Sequence, residues 1–152
     1  MTLKLYNTLS RSVEALKPLY PGEVRMYLCG PTVYDRPHLG NARNVVLFDV
    51  LLRLLEPDYK VTYVRNITDI DDKIIQAAKS AGRSIHEVTQ ETTQFYLDDM
   101  GALGVAQPTH MPKATEFIPE MIEMIQALIT KGHAYEAQEH VLFETATDPS
   151  YG

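Results

Sequence analysis

The chain has 152 residues, enough for one ordinary hydrophobic core, and its 45% hydrophobic and 22% charged residues are typical of a globular protein. With 14 Lys and Arg against 20 Asp and Glu, a formal net charge of −6, it has no basic surplus to grip a nucleic-acid backbone along its length. No apolar run approaches the ~20 residues of a membrane span, and the opening residues lack a signal-peptide core. The single Cys excludes an internal disulfide and agrees with a reducing compartment, so a cytoplasmic protein is expected.

In chain order, Leu3 to Asn7 alternates weakly and predicts an edge strand, while 11–22, broken by Pro18 and Pro21, reads as irregular. Glu23 to Leu28 predicts the first firm strand. A polar, Pro-punctuated loop follows, and then 42–55 predicts a helix so apolar that cover on more than one side is expected. Pro57 ends it and Lys60 to Arg65 (KVTYVR) predicts the next strand, which makes a parallel βαβ unit.

After Asn66, Thr68, Asp69, Asp71 and Asp72 comes a helix with Ile70, Ile74, Ile75, Ala77 and Ala78 on its apolar side, closed by Gly82. The carboxylates invite a divalent-metal reading. Without a Gly-turned calcium loop, however, acids in a helix's first turn are ordinary dipole partners. Ser84-Ile85-His86-Glu87 is a capping box for a helix reaching about Leu103, with Val88, Phe95, Met100 and Leu103 as core candidates. A break over 101–112 leads to a helix over 116–131 that presents Ile118, Met121, Ile122, Ile125, Leu128 and Ile129. Then 133–137 and 140–144 predict a hairpin about a Gln138-Glu139 turn. His86, His110, His133 and His140 have no ligand-like spacing.

The loop between the first firm strand and its helix carries the chemistry. Tyr27 to Arg43 reads YLCGPTVYDRPHLGNAR, a strand, a loop and a helix start, and ligands settle where strands end and helix N-termini offer free N–H donors. His38 and Asn41 bracket Gly40 and both can donate to phosphate oxygens; Gly40 leaves the backbone open to close approach. Cys29 ends the strand, with its thiol expected in the same cleft as His38. The plainer readings are that Asn41 is only the N-cap of the helix and that Cys29 is a small buried hydrophobe.

These residues carry a resemblance. Cys29-Gly30-Pro31-Thr32-Val33-Tyr34-Asp35, Pro37-His38-Leu39-Gly40-Asn41-Ala42-Arg43, 63–74 (YVRNITDIDDKI), 131–135 (KGHAY) and 147–152 (TDPSYG) together resemble cysteinyl-tRNA synthetases, class I aminoacyl-tRNA synthetases, in the same order over essentially the whole chain. The resemblance implies an α/β fold: a Rossmann-like parallel sheet, the first half of the class I catalytic fold, with a helical pair and the start of a β-containing connective insertion. It places residues 1–110 in the nucleotide-binding fold and 111–152 in a helix and the incomplete insertion.

It also implies an enzyme that joins cysteine to ATP with release of pyrophosphate and then transfers the cysteinyl group to tRNA(Cys), with zinc at the substrate thiolate and magnesium accompanying ATP. Carried over by position, His38 and Asn41 are catalytic; Pro31, His38, Gly40 and Asn41 face ATP; Gly30, Thr32 and Thr68 face cysteine; Cys29 is one zinc ligand. A soft thiolate ligand suits zinc, but a site needs three or four ligands. The Lys-Met-Ser-Lys-Ser loop and an anticodon-reading domain are absent from this sequence, so the chain alone is expected to be inactive and any tRNA contact to be local. The family's His-Ile-Gly-His reads His-Leu-Gly-Asn here; Leu39 is near-isosteric, whereas Asn41 donates a hydrogen bond but carries no charge. Two rivals are a ligase joining cysteine to an amino sugar in mycothiol synthesis, against which the 63–74 block argues, and a truncated, non-catalytic nucleotide-binding paralogue.

Overall fold

The structure, a computed structural model, describes residues 3–151, so Met1, Thr2 and Gly152 lie outside the described residues. The chain divides into two compact units, Met1–Pro112 and Lys113–Gly152. In the first, β1 (Lys4–Asn7) and β2 (Ser12–Ala15) form an antiparallel hairpin. The second strand falls where the sequence reads as irregular, because its residues sit at the surface with no buried alternation to betray them.

The centre of this unit is β3 (Glu23–Leu28), helix α1 (Leu39–Leu55) and β4 (Lys60–Arg65), with β3 and β4 parallel and in register from Glu23 beside Lys60 to Leu28 beside Arg65. The βαβ expectation is met. Met26, Leu28, Val45, Leu52 and Tyr63 bury their side chains in one cluster with Val33, Ile67, Ile74, Tyr96 and Met100. At about 1.5–3 kcal/mol for each fully buried large aliphatic, this cluster is the main cohesive force of the unit. Among the described residues, only one side of α1 is covered. Val45, Asp49, Leu52 and Leu55 are buried, while Leu47, Val50 and Leu54 stay exposed, so the expected cover on more than one side is not found.

Helix α2 (Asp72–Ala81) is capped by Asp71, whose Oδ1 accepts from the Lys73 N–H at 2.9 Å, and ends at Gly82 in the left-handed region, φ 62°. The acidic run therefore does helix-terminal work. Helix α3 (Ile85–Ala102) opens with the expected Ser84–Glu87 capping box. Its buried stripe is Val88, Thr89, Thr92, Tyr96 and Met100; Phe95 is half-buried and Leu103 exposed. A polar Thr in a buried stripe shifted the apparent apolar face by one residue.

In the second unit a short 3₁₀ turn (Ala114–Phe117) leads into α4 (Ile118–Thr130), followed by the hairpin β5 (Ala134–Ala137) and β6 (His140–Phe143). The hairpin turns through Gln138 and Glu139, both at positive φ (53° and 64°).

Candidate functional site

The site is built where β3 and β4 end. Beyond Leu28 and Arg65 the two strands separate over Cys29-Gly30 and Asn66-Ile67 and then pair again: the Thr68 N–H donates to the Pro31 carbonyl at 3.0 Å and the Val33 N–H to the Thr68 carbonyl at 3.1 Å. Asn66 ties the gap. Its Oδ1 accepts from the Gly30 N–H at 2.7 Å and from the Tyr27 hydroxyl at 2.9 Å, and its amide donates to the Thr68 Oγ1 at 3.1 Å. Gly30 lies so close to β4 that a Cβ there would sit 1.5 Å from the Asn66 carbonyl oxygen, so only glycine fits. Gly30, Thr32 and Thr68, separated by up to 38 positions in sequence, are thereby neighbours.

The other edge is the start of α1, three residues earlier than the apolar periodicity indicates, because its N-cap is a histidine. The His38 Nδ1 accepts from the Gly40 N–H at 3.0 Å, and the Asn41 Oδ1 accepts from the His38 N–H at 3.0 Å. This is a capping box made with unusual residues, in which His38 is the N-cap and Asn41, read from sequence as a cap, stands three residues inside. It fixes what each side chain has left. With its Nδ1 lone pair engaged, His38 carries its hydrogen on Nε2; with its oxygen engaged, Asn41 keeps its amide hydrogens. Both free ends are donors. Gly40 has a further part, since a Cβ there would meet the His38 Cε1 and Nδ1 at 2.8 and 2.9 Å: the missing side chain gives the imidazole its place against the helix start.

Two adjoining cavities open here. One, about 160 Å³, runs along the loop from Pro31 to His38 and is closed by Asn41, Lys73, Thr92 and Tyr96. The other, about 230 Å³, is lined by Cys29, Gly30, Pro31, Gly40, Asn41, Asn44, Val45 and Tyr96. Cys29 and His38 therefore belong to neighbouring cavities with Pro31, Asn41 and Tyr96 as shared walls, where a single crevice was expected. Cys29 is exposed and free, not a buried hydrophobe.

Both signs of charge stand at the first cavity, whose lining includes Asp35, Arg36 and Lys73. Beneath Tyr96 lies Arg65, 1% exposed, its guanidinium carbon 5.5 Å from the centre of the Tyr96 ring and 5.8 Å from that of Tyr63. Burial pushes both phenols' pKa values up, with the Arg65 charge opposing. Lys73 and the N-terminus of α1 are the features here that favour an anionic ligand. Among the described residues, no group of three or more His, Cys, Asp or Glu is arranged to hold a metal ion. Asn66, Lys73, Thr92 and Tyr96 were not singled out as site residues from sequence. Asn66 and Lys73 lie inside the 63–74 block and were legible as polar positions, whereas nothing but the fold brings α3 to the loop.

Comparison with known proteins now decides the family. Residues 15–152 match the family described as "tRNA synthetases class I (C) catalytic domain". This chain belongs to that family. Among curated relatives, the Cysteine--tRNA ligase of Ruegeria sp. (strain TM1040) is 61% identical over 145 residues, 93% of this chain and 32% of that protein. The Cysteine--tRNA ligase of Rhodospirillum rubrum is 55% identical over 153 residues, covering all of this chain and 33% of that protein. The chain thus spans about a third of the length of the curated relatives it matches. Among solved structures, the Agrobacterium radiobacter K84 LeuRS, in a ternary complex with tRNA and LeuAMS, superposes with a TM-score of 0.66 at 21% identity, over 78% of this chain and 16% of that one. That likeness bears on the fold alone, and it agrees with the class I α/β architecture.

Proposed function

We propose that this chain is part of the catalytic domain of a cysteine–tRNA ligase, an ATP-dependent enzyme that forms cysteinyl-adenylate and passes the cysteinyl group to tRNA(Cys). Residues 1–110 are assigned to the first half of its nucleotide-binding fold and 111–152 to the opening of the connective insertion. The observation that carries the reading is the pair of outward donors, His38 Nε2–H and Asn41 Nδ2–H, fixed by one capping box at a helix start beside the Gly30, Thr32 and Thr68 cluster.

In the activation step the cysteine carboxylate oxygen attacks the α-phosphorus of ATP and pyrophosphate leaves with the bonding electrons. Charge builds on the phosphate oxygens, where His38 and Asn41 donate, while Gly40 and Pro31 shape the approach; donors held in place before the reaction cost nothing to reorganise. Thr68 accepts from Asn66, which leaves its hydroxyl hydrogen and a lone pair for the amino acid, alongside Gly30 and Thr32. Cys29 is assigned as one ligand of a zinc ion whose other ligands lie outside this chain, and no step is routed through it. Magnesium accompanies ATP without an assigned ligand here. Transfer to the terminal hydroxyl of tRNA releases AMP. The reading includes a cytoplasmic location; among the described residues no helix is long and apolar enough to cross a membrane.

The test is cysteine-dependent ATP–pyrophosphate exchange, followed by charging of tRNA, with the full-length protein. Replacing His38 or Asn41 by Ala should lower exchange by about 10²–10³-fold, the usual worth of a transition-state donor. Full-length wild-type protein that shows no cysteine-dependent exchange removes the proposal. Exchange without tRNA charging turns it toward the amino-sugar ligase.

A further inference from the structure

Helix α3 lies outside every motif that the sequence singles out for chemistry, yet three of its side chains, Thr92, Phe95 and Tyr96, meet the signature loop or its cavities. The Thr92 Oγ1 lies 2.7 Å from the Val33 carbonyl, a contact that spans 59 positions of sequence and is buried. One turn on, the ring of Phe95 lies under the Arg36 guanidinium, 3.7 Å from its carbon to the ring centre. Tyr96, 1% exposed, walls both cavities. From the other side, the Lys73 ammonium sits 5.5 Å from the centre of the Tyr34 ring. Residues 33, 34 and 36 are therefore each fastened to a helix, while Thr32 lies opposite Thr68 between Pro31 and Val33, whose backbone groups make the two bonds to Thr68.

Thr92 is the informative member. Its hydroxyl has one hydrogen and two carbonyl oxygens at 2.7 Å, those of Val33 and of Val88. The Val88 carbonyl already receives the Thr92 backbone N–H in the helical ladder. The Val33 carbonyl belongs to a residue 2% exposed, where an unmet acceptor is costly. The hydroxyl therefore does most when turned to Val33. The Thr32 end of the arm is held without Thr92, by the bonds of Pro31 and Val33 to Thr68, so the stretch that depends on the Thr92 contact runs from Val33 towards His38, five residues on at the phosphate donors.

We infer that Thr92 is a positioning residue for nucleotide activation, holding the 33–38 stretch of the arm at the distance from α1 at which the His38 and Asn41 donors act together. The inference rests on the proposed ATP reading of the loop. Phe95 supports it by pinning Arg36, and neither residue touches the reacting atoms.

The experiment uses the full-length protein and three forms: wild type, Thr92→Val, which keeps shape and loses the hydroxyl, and Thr92→Ser, which keeps the hydroxyl. KM for ATP, KM for cysteine and kcat are read from pyrophosphate exchange, with ligand-free thermal unfolding as a control. Thr92→Val should raise KM for ATP about tenfold, the worth of one hydrogen bond. KM for cysteine should move less than threefold, and Thr92→Ser should return KM for ATP to within about twofold of wild type. A Val form with wild-type KM for ATP overturns the inference. So does a Ser form as impaired as Val, or a Val form in which both KM values rise in step with a lowered unfolding temperature, since those patterns mean packing alone. Wild-type protein without exchange overturns the ATP reading beneath it, a failure visible before any variant is made.

Discussion

Gly30 and Gly40 lie ten residues apart in the same loop region and answer to different neighbours, which gives them opposite expected behaviour. At Gly30 an added Cβ meets main chain, the Asn66 carbonyl oxygen at 1.5 Å, and β4 cannot yield without losing its register with β3. Gly30→Ala should therefore cost about 3 kcal/mol or more, the upper end of overpacking penalties, read as a shift in the urea midpoint. At Gly40 the obstacle is the His38 ring, the movable end of a side chain. Gly40→Ala should leave stability within about 1 kcal/mol of wild type, because better helix propensity offsets a weakened cap. It should instead raise KM for ATP in the full-length protein about tenfold, as the donor on His38 is displaced by an amount that catalysis feels and folding does not. Equal losses of stability at the two positions would sink this distinction. The sequence shows that both are glycines in a ligand-binding loop. It does not show that one answers to a strand and the other to an imidazole, because the contact at Gly30 is with Asn66, 36 residues away.

Between elements, α1 is tied to the segment after α3 by Asp49. Its Oδ1 accepts from the Ala106 N–H at 2.8 Å and its Oδ2 from the Arg53 Nε at 2.7 Å, while Arg53 also donates to the Gly104 carbonyl at 2.9 Å. Burial pushes the Asp49 carboxyl up, but the Arg53 and Ala106 hydrogen bonds outweigh it and hold the pKa below the ordinary aspartate value. A folded-state pKa below the unfolded one means stability that is present above the unfolded value, about 3.9, and lost as pH falls through the folded one. The Arg53 bond is the largest cause of the lowering and the Ala106 N–H bond the next, and because the Arg53 side chain is 58% exposed, solvent screening discounts what its ion pair contributes to stability. Asp49→Asn should cost about 1–3 kcal/mol near neutral pH, with the gap to wild type closing below about pH 4 in a series of urea midpoints. A gap that stays constant into acid would rule out the carboxylate as its source. At this scale β3, β4, α2 and α3 were legible because caps and alternation agree. The surface strand β2 and the His-capped start of α1 were not, since neither carries the residue pattern its element ordinarily shows.

For the molecule as a whole, the metal question turns on ligand count. A zinc ion held tightly needs three or four ligands, and this chain brings one cysteine, exposed, with no cluster of three acidic, thiol or imidazole groups among the described residues. The Cys29 side chain lines the Gly30 and Asn41 cavity, so as a soft sulfur donor it suits a shared ion even though its count does not. The 152-residue chain purified alone should therefore carry well under one zinc per chain after dialysis and show no cysteine-dependent exchange. The full-length protein should carry one zinc and lose it on Cys29→Ala. Metal analysis by atomic absorption on the three proteins separates the cases. Stoichiometric zinc on the short chain, released by Cys29→Ala, would mean that ligands within these residues assemble a site that the fold described here does not contain. Full-length protein that keeps its zinc after Cys29→Ala would instead remove Cys29 from the metal, leaving the His38 and Asn41 donors as the part of the proposal still standing.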